Sequence, residues 1–483
     1  MNKKRMVGIG IVLGIIVVII ALGIGIPKWQ RAAESVAEVL AEDGSRIAGI
    51  RYQDGALSYE CTQEQIPYVS TVVEETINII MEQEGCERAA AENKLVEEGF
   101  RVTTPYRQDL QEILQETVDA ADVRDGSTAI VLNDIHGRVL ACYCSSMENP
   151  DANYCLASTY AGSTMKPISV YAPAIEDGTV TPLSMVMDEP YKTMTAADGT
   201  EVPWPKNTTA YREEPVTVAE AIQKSLNTIA VRTLKEYGVQ KSCDFLESNL
   251  GVDLSEERTL IAEKGEDEVL GNIALGYLRD GVTPYNMAGY YQIFANGGMY
   301  TPSHAVLKIE KGSEVYYRND ETAVRVLSEN TAYICNRLLK LVTQEGGTAA
   351  SAAVEGRDIC GKTGTTDDFK DNWFIGTTPD YVCAVWYGGS ENAMEELEHK
   401  QAVTLFRDVI SETGPDQNQY EIPNGVREIM ICEKSGKIAG DACLNTLCVY
   451  VDKNMEIEAC DQCGHPVSTI RTIKNMVKYI SYN

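Results

Sequence analysis

Histidine and positive charge are both scarce in this chain of 483 residues. Only four histidines occur, none beside a Gly-x-Ser-x-Gly elbow or in a His-Glu-x-x-His pattern. This argues against a Ser-His-Asp hydrolase and against a zinc peptidase of that type. Lys and Arg number 42 against 71 Asp and Glu, a formal net charge of −29. Such an acidic chain repels phosphate backbones, and no basic stripe offsets it, so we expect no nucleic-acid partner.

One long apolar run lies close to the N-terminus. A basic segment at residues 2–5 is followed by apolar residues and glycines over 7–26. About twenty such residues match a bilayer core of roughly 30 Å, whereas a cleaved signal peptide has about 7–15. We predict a transmembrane helix at 7–26, a cytoplasmic tip at 1–6, and a single-pass protein of the cell membrane with its bulk on the extracytoplasmic side.

The remaining pattern predicts an α+β fold. Apolar residues at helical spacing predict helices over 32–43, 68–82, 216–237, 284–295 and 327–342. Strand patterns occupy 128–133, 138–143, 358–363, 372–377 and 381–387. A hairpin before the helices and strands after them indicate one mixed sheet flanked by helices. We divide the rest of the chain into a juxtamembrane region at 27–98, a domain at 99–420 that is large enough to be an enzyme, and a cysteine-rich tail at 421–483.

Cysteine is abundant for an exported chain, with fourteen residues in total. Five of them lie in the tail: Cys432, Cys443, Cys448, Cys460 and Cys463. For these we favour structural cross-linking, with disulfides ahead of zinc, although the Cys460-x-x-Cys463 spacing suits a zinc ligand pair. The alternative is that they are small buried hydrophobic residues with free thiols, which is what we expect of the other cysteines.

A serine and a lysine three residues apart form the first candidate for catalysis. Ser163 and Lys166 lie in the segment AGSTMKP at 161–167, ahead of an apolar run that predicts a helix. At a helix start they share one face, roughly 5–6 Å apart between Cβ atoms. A hydroxyl needs an adjacent base, and a lysine serves when its pKa is lowered. Such a pair also arises by chance about once or twice in a chain of this length.

A second pair, Ser225 and Asn227, lies within the helical stretch 216–237. From a loop or helix end, both side chains can be aimed into one cleft. The hydroxyl can then relay a proton to a leaving group while the amide holds a substrate carbonyl. The alternative is ordinary capping of a helix end.

The third candidate is the end of a strand-like segment, with Lys362, Thr363, Gly364 and Thr365. Strand alternation points Lys362 and Gly364 to one face and the threonines to the other. Lys362 supplies positive charge for a carboxylate and helps to lower the pKa of Lys166, and Gly364 lets a substrate backbone approach. The N–H groups of Thr365 and Ser163 are candidates for an oxyanion hole. The alternative is an ordinary exposed strand end.

Together the three motifs resemble a known family. Ser-x-x-Lys, Ser-x-Asn and Lys-Thr-Gly follow one another in the order found in penicillin-binding proteins and class A β-lactamases. The longer segments GSTMKPI, SLNT, KTGTT and DNWFIG, which begin at residues 162, 225, 362 and 371, are similar to the transpeptidase domain of bifunctional, class A penicillin-binding proteins. The resemblance covers roughly residues 99–388.

This resemblance implies a serine acyltransferase that cross-links peptidoglycan stem peptides ending in D-Ala-D-Ala and is acylated by β-lactams. It implies Ser163 as nucleophile, Lys166 as its base, and Ser225 with Asn227 as proton relay and substrate contact. It implies that Lys362, Thr363 and Thr365 hold the terminal carboxylate, beside Gly364. No metal ligand and no organic cofactor are expected.

The chain also departs from the bifunctional pattern. Only about 70 residues separate the predicted anchor from Gly99, too few for the glycosyltransferase domain of the bifunctional enzymes. We therefore predict a transpeptidase without its own polymerase, working beside a separate glycosyltransferase. Leu226, where a β-lactamase of class A has aspartate, favours a transpeptidase by analogy. D,D-carboxypeptidase, β-lactamase and a catalytically weak β-lactam-binding scaffold of the wall machinery are the alternatives.

Overall fold

A computed structural model of the chain describes residues 36–53, 55–121, 126–146, 149–196, 198–366, 370–389 and 401–463. The strands are β1 (Ala37–Ala41), β2 (Arg46–Gln53), β3 (Ala56–Glu60), β4 (Phe100–Thr104), β5 (Gly126–Asp134), β6 (Val139–Ser146), β7 (Met185–Met187), β8 (Lys192–Thr195), β9 (Glu201–Trp204), β10 (Pro215–Thr217), β11 (Met299–Tyr300), β12 (Lys308–Lys311), β13 (Glu314–Arg318), β14 (Val324–Arg325), β15 (Cys360–Thr365), β16 (Asp371–Thr377), β17 (Tyr381–Gly389), β18 (Val426–Cys432) and β19 (Thr446–Asp452).

The α-helices are α1 (Ile66–Glu84), α2 (Arg88–Glu97), α3 (Gln108–Ala120), α4 (Ala172–Glu176), α5 (Val218–Lys224), α6 (Asn227–Tyr237), α7 (Val239–Leu250), α8 (Ser255–Lys264), α9 (Leu270–Leu275), α10 (Pro284–Ala295), α11 (Glu329–Thr343) and α12 (Gln401–Glu412).

Within these ranges no helix combines the length and the apolar character needed to span a bilayer, and the predicted anchor at 7–26 lies outside the described residues.

The described residues form two compact units. The smaller contains the described residues between 36 and 116 together with 138–144 and 303–322. Its six-stranded sheet has the order β13-β12-β4-β1-β2-β3, in which β1 and β4 run parallel and the other pairs antiparallel. Helices α1 and α2 pack on each other, and α2 also contacts β1 and β2. This mixed sheet contains strands from both sides of the predicted domain boundary at residue 99. The boundary itself stays a prediction.

The predicted helix at 32–43 is wrong, because its described part is the strand β1. Its burial alternates along AEVLA, with Ala37, Val39 and Ala41 buried and the residues between them half-exposed. The segment carries apolar side chains at helical spacing, but hydrogen bonds to β2 and β4 on its two sides hold it extended. Tertiary pairing therefore overrides a local preference that sequence alone can read as helical.

The larger unit contains every candidate catalytic residue. Four of its strands, in the order β15-β16-β17-β5, pair antiparallel throughout. Trp373 and Phe374 on β16 are buried, and Phe406 of α12 packs edge-on against Phe374 at 4.7 Å between ring centroids. Helix α10 also contacts this sheet, and α11 packs against β15. The α+β class is as predicted, although the chain builds two large sheets where we predicted one.

The turn that carries Ser163 lies against a glycine at the end of α9. The Gly162 amide donates to the Gly276 carbonyl at 3.1 Å. Gly276 is left-handed with φ +78°, and a Cβ on it would lie 2.1 Å from the Gly162 carbonyl oxygen. Gly251, at the end of α7, is also left-handed with φ +67°, but nothing lies within 4 Å of where its Cβ would be. These two helix ends therefore differ in packing and not in backbone conformation.

We expect Gly276→Ala to destabilise the protein more than Gly251→Ala. Both substitutions force alanine into the left-handed region at about 1 kcal/mol. Only the first also drives a methyl group into backbone, which we expect to cost about 1–3 kcal/mol more. Denaturant unfolding of the two variants measures the difference. Equal losses of unfolding free energy would contradict this expectation, because they would show that the Gly162 turn can shift at no cost in stability.

Candidate active site

Ser163 lies in a tight turn that is fixed from several sides. Gly162–Thr164 forms one turn of 3₁₀-helix, and the Thr164 hydroxyl donates to the Ala161 carbonyl at 2.7 Å. The buried Tyr291 hydroxyl donates to the Thr164 carbonyl at 2.6 Å. A π-helical segment, Pro167–Tyr171, follows at once. Helical backbone from the turn onward places Ser163, which is half-buried, and Lys166, which is fully buried, one turn apart.

The Lys166 amine connects the first motif to the second. It donates to the Asn227 side-chain oxygen at 2.5 Å and to the Ser225 carbonyl at 2.9 Å, and the Ser225 hydroxyl oxygen lies 3.5 Å away. The amine has no exposure to solvent, and these three oxygen atoms offset the free-energy cost of burying it. The structure thus brings together Lys166, Ser225 and Asn227, which we selected from segments about 60 residues apart.

Ser225 breaks the helix that we predicted over 216–237. The residue is left-handed with φ +59° and ends α5, while Leu226 is extended and begins α6. A non-glycine residue in this conformation is uncommon and strained, and such residues concentrate at functional sites. The break is what displays the Ser225 hydroxyl and the Asn227 amide together. The prediction of one continuous helix was wrong at the residue that matters most.

Lys362 reaches the same hydroxyl from the sheet. Its amine donates to the Ser225 hydroxyl oxygen at 2.7 Å and to the Thr363 carbonyl at 3.0 Å. The side chain is fully buried, and this burial lowers the pKa of Lys362 from 10.5 to about 7. Two buried lysines therefore converge on one serine hydroxyl.

The alternation predicted for β15 is confirmed. Lys362 and Gly364 are buried, whereas Thr363 and Thr365 are half-exposed. A Cβ on Gly364 would lie 2.5 Å from the Ala161 carbonyl oxygen and 2.9 Å from a Thr164 methyl. On that side the space left by the glycine is filled by the chain's own Ser163 turn and not by a substrate. Gly364 is needed so that the strand can pack against the Ser163 turn.

The two threonines border the turn and a neighbouring loop. The Thr363 hydroxyl is hydrogen-bonded to the Thr348 hydroxyl at 2.8 Å, in the loop after α11. A Cβ on Gly162 would lie 3.2 Å from the Thr365 amide nitrogen, so this amide and the Ser163 turn are in close contact. That placement agrees with the predicted oxyanion hole, which stays a prediction.

Sequence reasoning missed the residues that hold Asn227 in place. The Asn207 side-chain oxygen accepts hydrogen bonds from the amides of Asn227 at 2.7 Å and Thr228 at 3.2 Å, which open α6. Its side-chain N–H donates to the fully buried Asp188 carboxylate at 2.7 Å, which also accepts the Thr228 hydroxyl at 2.6 Å. Asp188 and Asn207 lie in irregular segments with no motif of their own. No pattern in the sequence signals them.

A second set of hydrogen bonds fixes the chain just before Ser163. The Asp371 carboxylate accepts the Thr159 hydroxyl at 2.5 Å and the Trp386 indole N–H at 2.8 Å. The Trp373 indole donates to the Tyr160 carbonyl at 2.9 Å. Asp371 and Trp373 belong to the segment DNWFIG, and these contacts give that segment a physical role. It ties the approach to Ser163 to the sheet.

Comparison with known proteins agrees with this geometry. The family model of the penicillin binding protein transpeptidase domain matches residues 127–411, more than half of the chain. The chain belongs to this family. Penicillin-binding protein 1F of Bacillus subtilis is 28% identical over 370 residues, which is 73% of this chain and 49% of the relative. Penicillin-binding protein 1A of Clostridium botulinum is 27% identical over 72% of this chain and 43% of its own length.

Solved structures show the same fold. The D,D-transpeptidase domain of a peptidoglycan glycosyltransferase from Eggerthella lenta matches with a TM-score of 0.57 at 21% identity, covering 78% of this chain and 97% of that one. Penicillin-binding protein 1A from Haemophilus influenzae matches with a TM-score of 0.63 at 16% identity, over 84% of this chain and 78% of that one. The match to this chain spans about half of the length of these two relatives, 49% of the first and 43% of the second.

The depressed pKa of Lys362 predicts a pH-dependent stability difference. A buried amine with a native pKa of about 7 and an ordinary value of 10.5 penalises folding fully below pH 7. The penalty shrinks as pH rises towards 10.5, because the native amine is then neutral. Lys362→Met should therefore raise the melting temperature, by more at pH 6 than at pH 9. Scanning calorimetry at both values checks this, and a gain independent of pH would contradict it.

The substitution Asn207→Ala tests the role of the Asp188–Asn207 hydrogen bonds, which sequence reasoning did not identify. Without its acceptor the first turn of α6 is free to shift, and Asn227 with it. A misplacement on the order of 1 Å can cost about 100-fold, so we expect acylation by penicillin to slow by about 10–100-fold. The melting temperature should also fall, because the buried Asp188 carboxylate and the first amides of α6 lose a partner, at a cost of about 1–3 kcal/mol. Asn93→Ala, an exposed position on α2, is the matched control. Wild-type acylation in the Asn207 variant would assign it a purely structural role.

Proposed function

We propose that this protein is a serine D,D-transpeptidase that cross-links peptidoglycan stem peptides ending in D-Ala-D-Ala. The observation that carries the proposal is the meeting of Lys166 and Lys362, both fully buried, at the Ser225 hydroxyl beside the Ser163 turn. Burying two amines is costly. A serine nucleophile without histidine needs a buried amine as its base, and burial lowers the pKa of the neighbouring Lys362 to about 7.

In the first step Ser163 attacks the carbonyl of the penultimate D-Ala. Lys166 takes its proton as a neutral amine. Such an amine has two hydrogens and one lone pair, and the Asn227 and Ser225 oxygens at 2.5 and 2.9 Å accept the two hydrogens. These two hydrogen bonds leave the lone pair of the amine to accept the proton of Ser163. The amides of Ser163 and Thr365 stabilise the oxyanion of the tetrahedral intermediate.

Collapse of that intermediate releases the terminal D-Ala. Ser225 gives its hydroxyl proton to the departing amine and is itself resupplied through Lys166 or Lys362, to which it is already close. The terminal carboxylate binds at the half-exposed Thr363 and Thr365, beside the buried amine of Lys362. The ester on Ser163 is then resolved by an amine of a neighbouring stem peptide. A β-lactam enters the same path but leaves a long-lived ester.

Attachment to the cell membrane is part of the proposal. It is supported by the apolar run at 7–26, which follows a basic segment. Cooperation with a separate glycosyltransferase is proposed because the family match is to the transpeptidase domain. Hydrolysis instead of aminolysis of the ester would make the same site a D,D-carboxypeptidase.

Covalent labelling by fluorescent penicillin tests the proposal. We expect the full chain to carry label on a denaturing gel and Ser163→Ala to carry none, because the penicilloyl ester forms on the Ser163 hydroxyl. Ser411→Ala, an exposed serine on α12, is the matched control and should label normally. Folded wild-type protein that takes no label would contradict the enzymatic function and favour a scaffold.

Product analysis with stem peptide and an amine acceptor then separates the reactions. Cross-linked product together with released D-Ala is expected of a transpeptidase. Released D-Ala alone would assign the site to a carboxypeptidase, and rapid loss of the penicillin label would assign it to a β-lactamase.

A further inference from the structure

Four cysteine sulfurs of the C-terminal segment converge on one point. The Sγ atoms of Cys432, Cys443, Cys460 and Cys463 all lie within 4.8 Å of one another. Those of Cys432 and Cys463 are 3.6 Å apart. Cys432 is the last residue of β18, Cys443 lies between β18 and β19, and the other two follow β19. Segments separated by about 30 residues thus deliver sulfur to one place.

The local backbone is folded so as to bring these segments together. After Cys432 the chain turns back, with the Gly436 amide donating to the Cys432 carbonyl and the Cys432 amide to the Lys437 carbonyl, both at 2.8 Å. Ile438 then bridges to Ala459, and the Cys460 amide donates to the Ile438 carbonyl at 2.9 Å. This places the start of the Cys460-x-x-Cys463 turn beside the first cysteine.

The sulfur at Cys443 is held in a way that suits a thiolate. The Gly440 amide donates to the Cys443 Sγ at 3.4 Å. Backbone N–H groups that donate to ligand atoms orient them and stabilise their negative charge. A fifth cysteine in the same segment, Cys448, is directed elsewhere, because its thiol donates to the Glu428 carboxylate at 2.7 Å. The converging set therefore contains four of the five tail cysteines.

We propose that Cys432, Cys443, Cys460 and Cys463 bind one zinc ion as a closed, structural site. Tetrahedral zinc with four sulfur ligands at about 2.3 Å has sulfurs roughly 3.8 Å apart. The Cys432–Cys463 distance of 3.6 Å is close to this, and none of the four sulfurs is more than 4.8 Å from another. Two disulfides would divide the sulfurs into bonded pairs about 2 Å apart and give no reason for all four to share one centre. The proposal favours zinc over the disulfides preferred from the sequence, and it departs from the expectation of no metal ligand.

Zinc binding balances as a simple exchange. Four thiols lose four protons to solvent, one Zn²⁺ enters, and the centre carries a net charge of −2 without any oxidant or reductant. Four protein ligands leave no position for water or substrate, so the ion has no catalytic role. It adds to the small core of this segment, in which Ile431, Val449 and Val451 are buried.

The zinc segment also has a physical route to the active site. A Cβ on Gly436, in the turn after Cys432, would lie 2.5 Å from the Leu183 carbonyl oxygen, so this turn packs tightly on the residues before β7. Strand β7 pairs with β10, which leads directly into α5 and its terminal Ser225. Loss of the ion should loosen this support and slow acylation without abolishing it.

Elemental analysis of the full chain in detergent, purified with a reductant and without chelators, tests the proposal. We expect about one zinc per chain for the wild type and for Cys448→Ser, and well under half of that for Cys432→Ser and Cys460→Ser. Substitution with Co²⁺ should give thiolate-to-cobalt charge transfer and the d–d bands of tetrahedral coordination. Because the wild type alone supplies both readouts, unfolding of a variant does not remove the test.

Alkylation with mass mapping supplies the opposing outcomes. The four proposed zinc ligands should resist alkylation until a chelator is added, and should then react as free thiols. Pairs linked by disulfide in metal-free protein, or four thiols that react at once without metal, would overturn the proposal. Either result would leave penicillin labelling at Ser163 unaffected, so failure of the zinc site and failure of the proposed enzyme are distinguishable.

Discussion

The site depends on placing two lysine amines, out of contact with water, around one serine hydroxyl. Lys362 approaches the Ser225 hydroxyl from the sheet at 2.7 Å, and Lys166 approaches it from the segment after the Ser163 turn at 3.5 Å. Water would keep both amines protonated, and a protonated amine cannot accept a proton from a nucleophile. Burial lowers the pKa of Lys362 to about 7, and so holds it close to the point at which it can exchange a proton. Packing around the site serves to keep this desolvation in place.

Close packing of backbone on backbone is the means by which three distant segments meet. Gly364 lets β15 lie against the Ala161 carbonyl, and Gly276 lets the end of α9 lie against Gly162. A side chain at either position would hold the Ser163 turn away from the strand or from the helix. Asp188 and Asn207 act one step further out, because they fix the first turn of α6 and with it Asn227. Rigid backbone and buried hydrogen bonds therefore set the positions of the reacting groups.

The C-terminal segment solves a different problem with a different interaction. Its β18–β19 hairpin is small, and Tyr450 on β19 meets Tyr333 of α11 edge-on at 5.3 Å between ring centroids. A two-stranded hairpin has little apolar area of its own to bury. Four sulfurs gathered around one ion supply the missing cohesion in the proposed arrangement. Helix α11 packs in turn on β15, so the segment is joined to the strand that carries Lys362.

Sequence alone determined which residues are proposed to react and their order along the chain. A serine three residues before a lysine, a serine two before an asparagine, and a Lys-Thr-Gly strand are local patterns, so they can be read without the fold. The alternation on β15 also followed from local geometry, since successive side chains on a strand must point to opposite faces. Tertiary structure alone decided the left-handed break at Ser225, the extended path of β1, the Asp188–Asn207 network and the meeting of four sulfurs. Each of these arises from contacts between residues far apart in the chain, which hold the backbone against its local preference.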